Sequence, residues 1–448
     1  MENRKSKCIL YGIIVVILIF ASSVYRIKFY KSYIGDKQSL PQELKDKTIV
    51  RLWMKKSVIS PTRSYQIQKF NKENKNNVYI MLEEYKEDYY NALKTTLATK
   101  KYAPDIFEYG FTDLMKNNEI ADLNDIGFNT QSVDDSNIVR YKGIPLGVKL
   151  METNSKMIWN KEIFKESGID PNKPPSTYDE LLEYSLKIKK RFPNITPFAF
   201  PLQQYDDMKV SIGEPSVNSG DIYTTFWNYK KGAYDFGSAK SILDIYNKMY
   251  SMNLIEKDFD QKSKNQMRSE FYRGDIAMMI STYEDKGYFS NIVPLNFQIG
   301  IKDIIQTGKN KNIYYYIENS NFLVANKWSV NDKKKKEAIK EVYDYMVSND
   351  INKEVLETRN ALPLNVDSKQ VKNDIYSEYN DTSKFHNEQY DPTIFLSRDS
   401  SYEIGLVVDA IKGKRSVDSA IQGLDGKYKY YYDFAVDKEN FDFNYYKK

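Results

Sequence analysis

The chain has 448 residues, too long for one compact domain and long enough for two lobes, each with its own core. One cysteine, Cys8, excludes an intramolecular disulfide, and one histidine, His386, leaves almost no room for a Ser-His-Asp triad or a histidine-rich metal site. The 66 basic and 61 acidic residues nearly balance at +5 and are interspersed, so no nucleic-acid partner is expected. The 38 tyrosines and 22 phenylalanines suit surfaces that stack on flat ligands, although Lys, Asn and Ile are also abundant and biased composition accounts for much of the excess.

In chain order, the first signal is a membrane one. Arg4, Lys5 and Lys7 precede an uncharged run from Cys8 to Val24, the pattern of a secretory signal or a signal anchor. A cleaved signal would use Ala21, Ser22 and Ser23; a retained anchor fits the apolar continuation through Val24, Tyr25 and Ile27. Cys8 opens the run, whereas a lipoprotein cysteine follows it, so no lipid-modified cysteine is expected. The anchor is favoured, seated in the cytoplasmic membrane through residues 8–25, with residues 26–46 a tether and the body on the extracytoplasmic face.

The body then alternates. Thr48 to Trp53 reads as a strand, Tyr65 to Asn71 as a helix and Val78 to Leu82 as a strand. Tyr89 to Thr99 reads as a helix and Asp105 to Phe107 as a strand. This β-α-β-α-β order implies a mostly parallel sheet with helices packed on it. Short strands follow at Lys142–Leu146 and Lys156–Asn160, and Ser176 or Thr177 caps a helix through Leu186. Helices are expected over Ser238–Met252 and Ser263–Tyr272, and Gly274 turns the chain into a strand ending near Ile280. Lys335–Asn349, Tyr402–Ile411 and Ser416–Leu424 read as helices, and Lys333 to Lys336 as a solvated helix start. Residues 203–237 carry no readable pattern, and the aromatic, charged tail from Lys427 onward reads as loosely ordered.

These segments carry motifs in a familiar order. They include Phe70-Asn71-Lys72-Glu73-Asn74, Ala103-Pro104-Asp105-Ile106-Phe107 and Tyr141-Lys142-Gly143-Ile144-Pro145. Trp159-Asn160-Lys161, Pro174-Pro175-Ser176-Thr177-Tyr178-Asp179-Glu180-Leu181 and Phe271-Tyr272-Arg273-Gly274-Asp275-Ile276-Ala277-Met278 follow, with Ala361-Leu362-Pro363 late in the chain. Across residues 47–425 the set resembles the family-1 extracellular solute-binding proteins of ABC importers, the group of maltose-binding protein. The resemblance implies an α/β, two-lobe periplasmic-binding-protein-like fold of type II with an interlobe ligand cleft, here behind an N-terminal anchoring helix. It places lobe 1 at residues 47–150 plus about 286–345, and lobe 2 at 151–285 plus about 346–448. It also implies a monomer with no catalytic residues, metal or cofactor, and so not an enzyme. The adjacent pair Glu83-Glu84 agrees, because neighbours on a strand point to opposite faces.

The stretch Asp105-Ile106-Phe107-Glu108-Tyr109-Gly110 poses a local question: why a strand should end in a carboxylate and a ring. Strand ends in open α/β sheets face ligands. By the resemblance, Glu108 accepts from sugar hydroxyls and Tyr109 flanks the ring, while the plain alternative for Glu108 is capping the helix that follows. The remaining candidates are Trp53 at the first strand's end, Trp227 in an irregular segment, and Tyr283 where the family carries a cleft tryptophan. Arg359 and Asn360 complete the set beside the late crossover; core packing is the alternative for both tryptophans. The expected function is capture of a carbohydrate and delivery to ABC permease subunits; the alternative is a membrane-tethered sensor of the same fold.

Overall fold

The computed structural model describes residues 14–24, 44–56, 60–85, 88–100, 102–109, 113–133, 135–152, 155–216, 225–283, 285, 289, 295–307, 322–357, 362–363, 377–380 and 392–447, and the structural statements here concern these. The strands are β1 (Thr48–Lys55), β2 (Val78–Tyr85), β3 (Ile106–Tyr109), β4 (Ile138–Tyr141), β5 (Ile144–Lys149), β6 (Met151–Glu152), β7 (Ser155–Asn160) and β8 (Thr196–Ala199). They continue as β9 (Trp227–Asn228), β10 (Ala233–Tyr234), β11 (Ile276–Thr282), β12 (Ile299–Asp303), β13 (Phe322–Ala325) and β14 (Leu362–Pro363). The helices that matter below are α1 (14–24), α2 (Ser60–Glu73), α3 (Tyr89–Thr99), α4 (Asp113–Lys116), α5 (Lys161–Glu166) and α6 (Tyr178–Arg191). The later ones are α7 (Lys240–Ser251), α8 (Lys264–Arg273), α9 (Lys333–Val347), α10 (Asn349–Glu357), α11 (Ser400–Ile411) and α12 (Val417–Glu439).

Two sheets organise the body. The first is six-stranded, in the order β2-β1-β3-β13-β5-β4; the second is four-stranded, in the order β12-β7-β11-β8. β1, β2 and β3 run parallel, as the β-α-β-α-β alternation requires. Alternation along these strands splits their side chains between faces. Leu52, Met54 and Ile106 join Ile67 and Phe70 of α2 and Val342 and Met346 of α9 in one core. Trp53, Phe107 and Tyr109 face the other way, against Leu93 and Leu97 of α3, in a core continuous with that of the second lobe.

Local chemistry explains the element ends. Lys142 (φ 50°) and Gly143 (φ 79°) form the two-residue left-handed turn of the β4–β5 hairpin. Asn160 caps α5 by accepting from the Glu162 and Ile163 amides, and Thr177 caps α6 by accepting from Glu180 N–H. Four lysines opening α9 oppose its dipole. Asp332 offsets this by accepting from the Lys335 amide, and Lys335 Nζ lies 2.7 Å from Asp105. In β12, Gly300 has no substitute, since a Cβ there would lie 1.9 Å from the Trp159 ring.

Three readings of the sequence need correction. Ile299–Asp303 pairs antiparallel with β7, so this part of residues 286–345 belongs to the second sheet rather than to lobe 1. Conversely α10, within the residues assigned to lobe 2, packs on α2 of lobe 1 through Gln66 Nε2, which donates to Ile351 O at 2.8 Å. The tail is ordered: α12 runs 23 residues, to Glu439, and Phe441, Phe443 and Tyr446 beyond it are buried. Consecutive tyrosines mask the helical period, whereas the residues that are buried, Leu424, Tyr428, Tyr431 and Ala435, recur at three- and four-residue steps.

Helix α1 is apolar and exposed: Ile14 through Phe20 are 43–71 % accessible. No helix among the described residues is long and apolar enough to cross a membrane, and most of the residues flanking α1 lie outside them.

Candidate functional site

The register of the strands locates the cleft. Tyr109 pairs with Phe322, and Phe322 with Lys149, so β3 and β5 end at one level. From Lys149 the chain passes through β6 into β7 of the second sheet, and β14 pairs with β6 beside it. In that sheet Thr282 of β11 lies level with Ser155, the first residue of β7. The carboxyl ends of β1, β2 and β3 therefore face those of β8, β11 and β12 across the crossovers, where open α/β sheets bind ligands.

The lobe 1 wall is a layered set of rings. Tyr85 ends β2 and Tyr90 is the second residue of α3, and both are half-buried. Behind them Trp53 and Tyr89 are 2 % and 0 % accessible. Trp53 lies 4.6 Å from Tyr85 between ring centroids, and Tyr89 lies 5.2 Å from Tyr90. Tyr89 Oη donates to the carbonyls of Trp53 and Glu108, tying α3 to two strand ends. Trp53 Nε1, although buried, has no hydrogen-bond partner among the described residues. A buried donor left without a partner costs ~1–3 kcal/mol. Lys55 Nζ stands 5.8 Å over the Tyr90 ring.

Glu108 turns the other way. It accepts the Lys55 amide at 2.8 Å, tying the end of β1 to β3, and is only 5 % accessible. Burial pushes its carboxyl up to about 7, against the opposing pull of that amide and of the nearby Arg63 and Lys55 charges. Arg63, 1 % accessible, donates through Nη1 to Gln66 Oε1 at 2.9 Å, and desolvation lowers it to about 10. Glu108 therefore lies beneath α2, on the face of the sheet opposite Tyr109. Tyr109 itself is fully buried, donates to Asp113 and meets Phe107 and Phe322 edge-on.

In lobe 2, β8 leads into Tyr205, whose ring stacks 3.6 Å from the Arg398 guanidinium and whose hydroxyl accepts from Tyr428 at 2.9 Å. Tyr428 also donates to Glu403 at 3.1 Å, and Arg398 reaches the same carboxylate at 3.3 Å. Burial raises the Glu403 carboxyl. Lys209 holds Asp206 at 3.0 Å and keeps that carboxyl low. Lys156 is buried against Asp303 at 2.6 Å, at the level of the crossovers.

The candidates thus fall in separate places. Trp53 and Tyr109 stand at the lobe 1 strand ends beneath other rings. Trp227 is fully buried, donates through Nε1 to Tyr446 O at 2.9 Å and stacks on Phe443 at 5.5 Å. Tyr283 is 2 % accessible and meets Tyr379 edge-on in the second lobe's core. Arg359 and Asn360 lie outside the described residues. Tyr85, Tyr90, Tyr205 and Arg398 escaped the sequence reading. For Tyr85 and Tyr90 the signal was there: the second strand ends in a ring just as the first does, with Tyr89-Tyr90 at the helix start that follows. Among the described residues no group of three or more His, Cys, Asp or Glu is placed to hold a metal ion.

The model of the bacterial extracellular solute-binding protein family matches residues 56–353. The chain belongs to this family. An ABC transporter extracellular-binding protein of Pyrococcus horikoshii is 26% identical over 206 residues, 42% of this chain and 43% of that protein. An sn-glycerol-3-phosphate-binding periplasmic protein of Shigella flexneri is 30% identical over 138 residues, 27% of this chain and 31% of that protein. The chain thus spans less than half the length of these curated relatives. Solved structures share the fold more fully. A cyclic α-maltosyl-1,6-maltose binding protein of Arthrobacter globiformis aligns with TM-score 0.67 at 14% identity, covering 86% of this chain and 98% of that one. An ABC substrate-binding protein of Listeria monocytogenes in complex with cycloalternan aligns at 0.63 and 16% identity, covering 86% and 99%. Maltose-bound MalE3 of T. maritima aligns at 0.64 and 15% identity, covering 86% and 100%.

Proposed function

We propose that this family member captures a carbohydrate, an oligosaccharide in size, between its lobes and delivers it to an ABC importer. The observation that carries the reading is the ring ledge at the lobe 1 strand ends. Tyr85 and Tyr90 are half-buried in front of Trp53 and Tyr89, where the strand ends face the crossovers. A sugar has apolar C–H faces and a rim of hydroxyls, so it needs flat rings beside it and a polar partner for each hydroxyl it buries. Lys55, over the Tyr90 ring, adds a polar group at the rim. The sugars named for the solved neighbours, cycloalternan, a cyclic maltosyl-maltose and maltose, support the same class.

In this reading Tyr85 and Tyr90 meet the guest, and Trp53 and Tyr109 back them. Lobe closure about the β6–β14 crossovers excludes water and strengthens the polar contacts. The apolar run from Cys8 to Val24 holds the body at the outer face of the membrane.

Titration calorimetry with maltose, linear and cyclic oligosaccharides, and sn-glycerol 3-phosphate tests the assignment. Saturable binding of an oligosaccharide, weakened by Tyr85→Ala, supports it. Binding of the glycerol phosphate alone, with no sugar response, overturns it. An apolar segment kept after export would favour a second reading, a tethered sensor. Co-purification with permease subunits argues for import, and with a signalling protein for sensing.

A further inference from the structure

We propose that the C-terminal segment Asn440–Lys447 is a latch between the lobes, setting the angle between them. The inference rests on the reading that the lobes move about the crossovers. It comes from which elements the tail touches.

Helix α12 ends at Asn440, whose left-handed backbone (φ 50°) turns the chain, and the residues beyond fold back over rings from both lobes. On the lobe 2 side the tail is fixed: Trp227 Nε1 donates to Tyr446 O, and Phe443 stacks on Tyr432 at 4.0 Å. On the lobe 1 side it grips the β4–β5 hairpin. Tyr141 of β4 lies 6.1 Å from Phe441 and 5.2 Å from Phe395, and Tyr446 Oη donates to Arg140 O at 3.3 Å. A side chain at Gly143 would meet Tyr445 at 3.4 Å. Just before the tail, Glu439 pairs with Lys116 of α4 in lobe 1 at 2.5 Å, both side chains being partly exposed.

The placement gives the grip leverage. The hairpin turn at Gly143 and the crossover after Lys149 stand at opposite ends of β5. Six strand residues span ~20 Å. A hinge rotation of about 15° carries a point at that radius through ~5 Å. Apolar contacts are lost beyond about 4.5 Å. The lobes therefore cannot change angle by that much while the tail holds both. The weaker side must let go, and that is the Tyr141 side, because the tail's other face is stacked into lobe 2.

The test reads the interlobe distance directly and needs no ligand, so it stands or falls apart from the carbohydrate assignment. In the full chain carrying Cys8→Ser, spin labels at Glu337→Cys in lobe 1 and Lys190→Cys in lobe 2 report a distance distribution by pulsed electron resonance. Lys116→Glu and Glu439→Lys are each expected to shift the balance of distances by roughly two- to fivefold, the range of a partly exposed ion pair. The combined reversal restores the original distribution. Truncation after Glu439 gives a larger shift. If both single reversals and the truncation, each still folded by its thermal transition, leave the distribution unchanged, the latch is refuted. If the truncated chain does not fold, the charge reversals alone decide.

Discussion

Trp53 and Trp227 look alike by burial and differ in everything else. Each is nearly inaccessible, and each lies at or near a strand end. Trp227 is saturated: its N–H has a carbonyl and its ring has Phe443 and Tyr234. Trp53 is stacked on a half-buried tyrosine and its N–H has no partner among the described residues. Burial alone thus does not separate the two rings; unused hydrogen-bonding capacity and the exposure of the next ring do, and these are what the proposed binding surface asks of Trp53. The sharpest break between the two is Trp227→Ala, which opens a cavity under the tail. It should cost ~3–5 kcal/mol by urea unfolding, and a loss under 1 kcal/mol would mean the C-terminal aromatic pack is not a core.

A second contrast lies within one strand, between Glu108 and its neighbour Tyr109. The carboxyl group, raised from 4.5 to about 7 by burial, should write itself into the pH dependence of stability. Between those values the folded chain keeps a proton that the unfolded chain gives up. The native state binds more protons there, so stability falls as pH rises through the window. A shift of this size corresponds to a fall of about 3 kcal/mol from acid to neutral. Glu108→Gln should flatten the curve and leave the neutral-pH protein at least as stable. Urea midpoints measured from pH 5 to 8 that run parallel in the two proteins would place the charge elsewhere.

How far this could be seen in advance differs between the lobes. The alternation of the first three strands and the Thr177 cap are local signals, and the structure has both, whereas Lys142 and Gly143, read as the start of a strand, form the turn before β5. Glu108 was legible as a strand-end carboxylate, yet its direction was not. Which face it takes depends on α2 bringing Arg63 and Gln66 over the sheet, a contact 45 residues away in sequence for Arg63. Trp227 was misleading for a related reason: its partner, Tyr446, lies 219 residues on, in a segment without clean periodicity. The ring ledge was half legible, since strand ends can be counted, while the depth of each ring depends on its neighbours.

The ledge makes a smaller prediction. Tyr85→Ala and Tyr90→Ala remove half-buried rings, so each should cost stability about 1 kcal/mol or less, but each should weaken sugar binding by about 1–2 kcal/mol, roughly five- to thirtyfold. Equal loss of stability and affinity would make these rings packing residues like Tyr283.

The smallest effect is the most discriminating. Replacing each tryptophan by phenylalanine keeps a ring and deletes only the indole N–H and one ring's breadth. In Trp227→Phe the Tyr446 carbonyl loses its donor, so about 1 kcal/mol of stability should go, with ligand affinity unchanged. In Trp53→Phe a donor without a partner disappears, so the desolvation cost it carried offsets part of the lost packing and stability should move little. What should move is affinity: the ring that backs Tyr85 becomes narrower, so the proposed ledge should bind about threefold to tenfold more weakly in Kd. The two variants, compared by urea midpoint and by calorimetry, should change opposite quantities. If both change stability alone, Trp53 is a packing residue like Trp227 and the ledge in front of it does not depend on it.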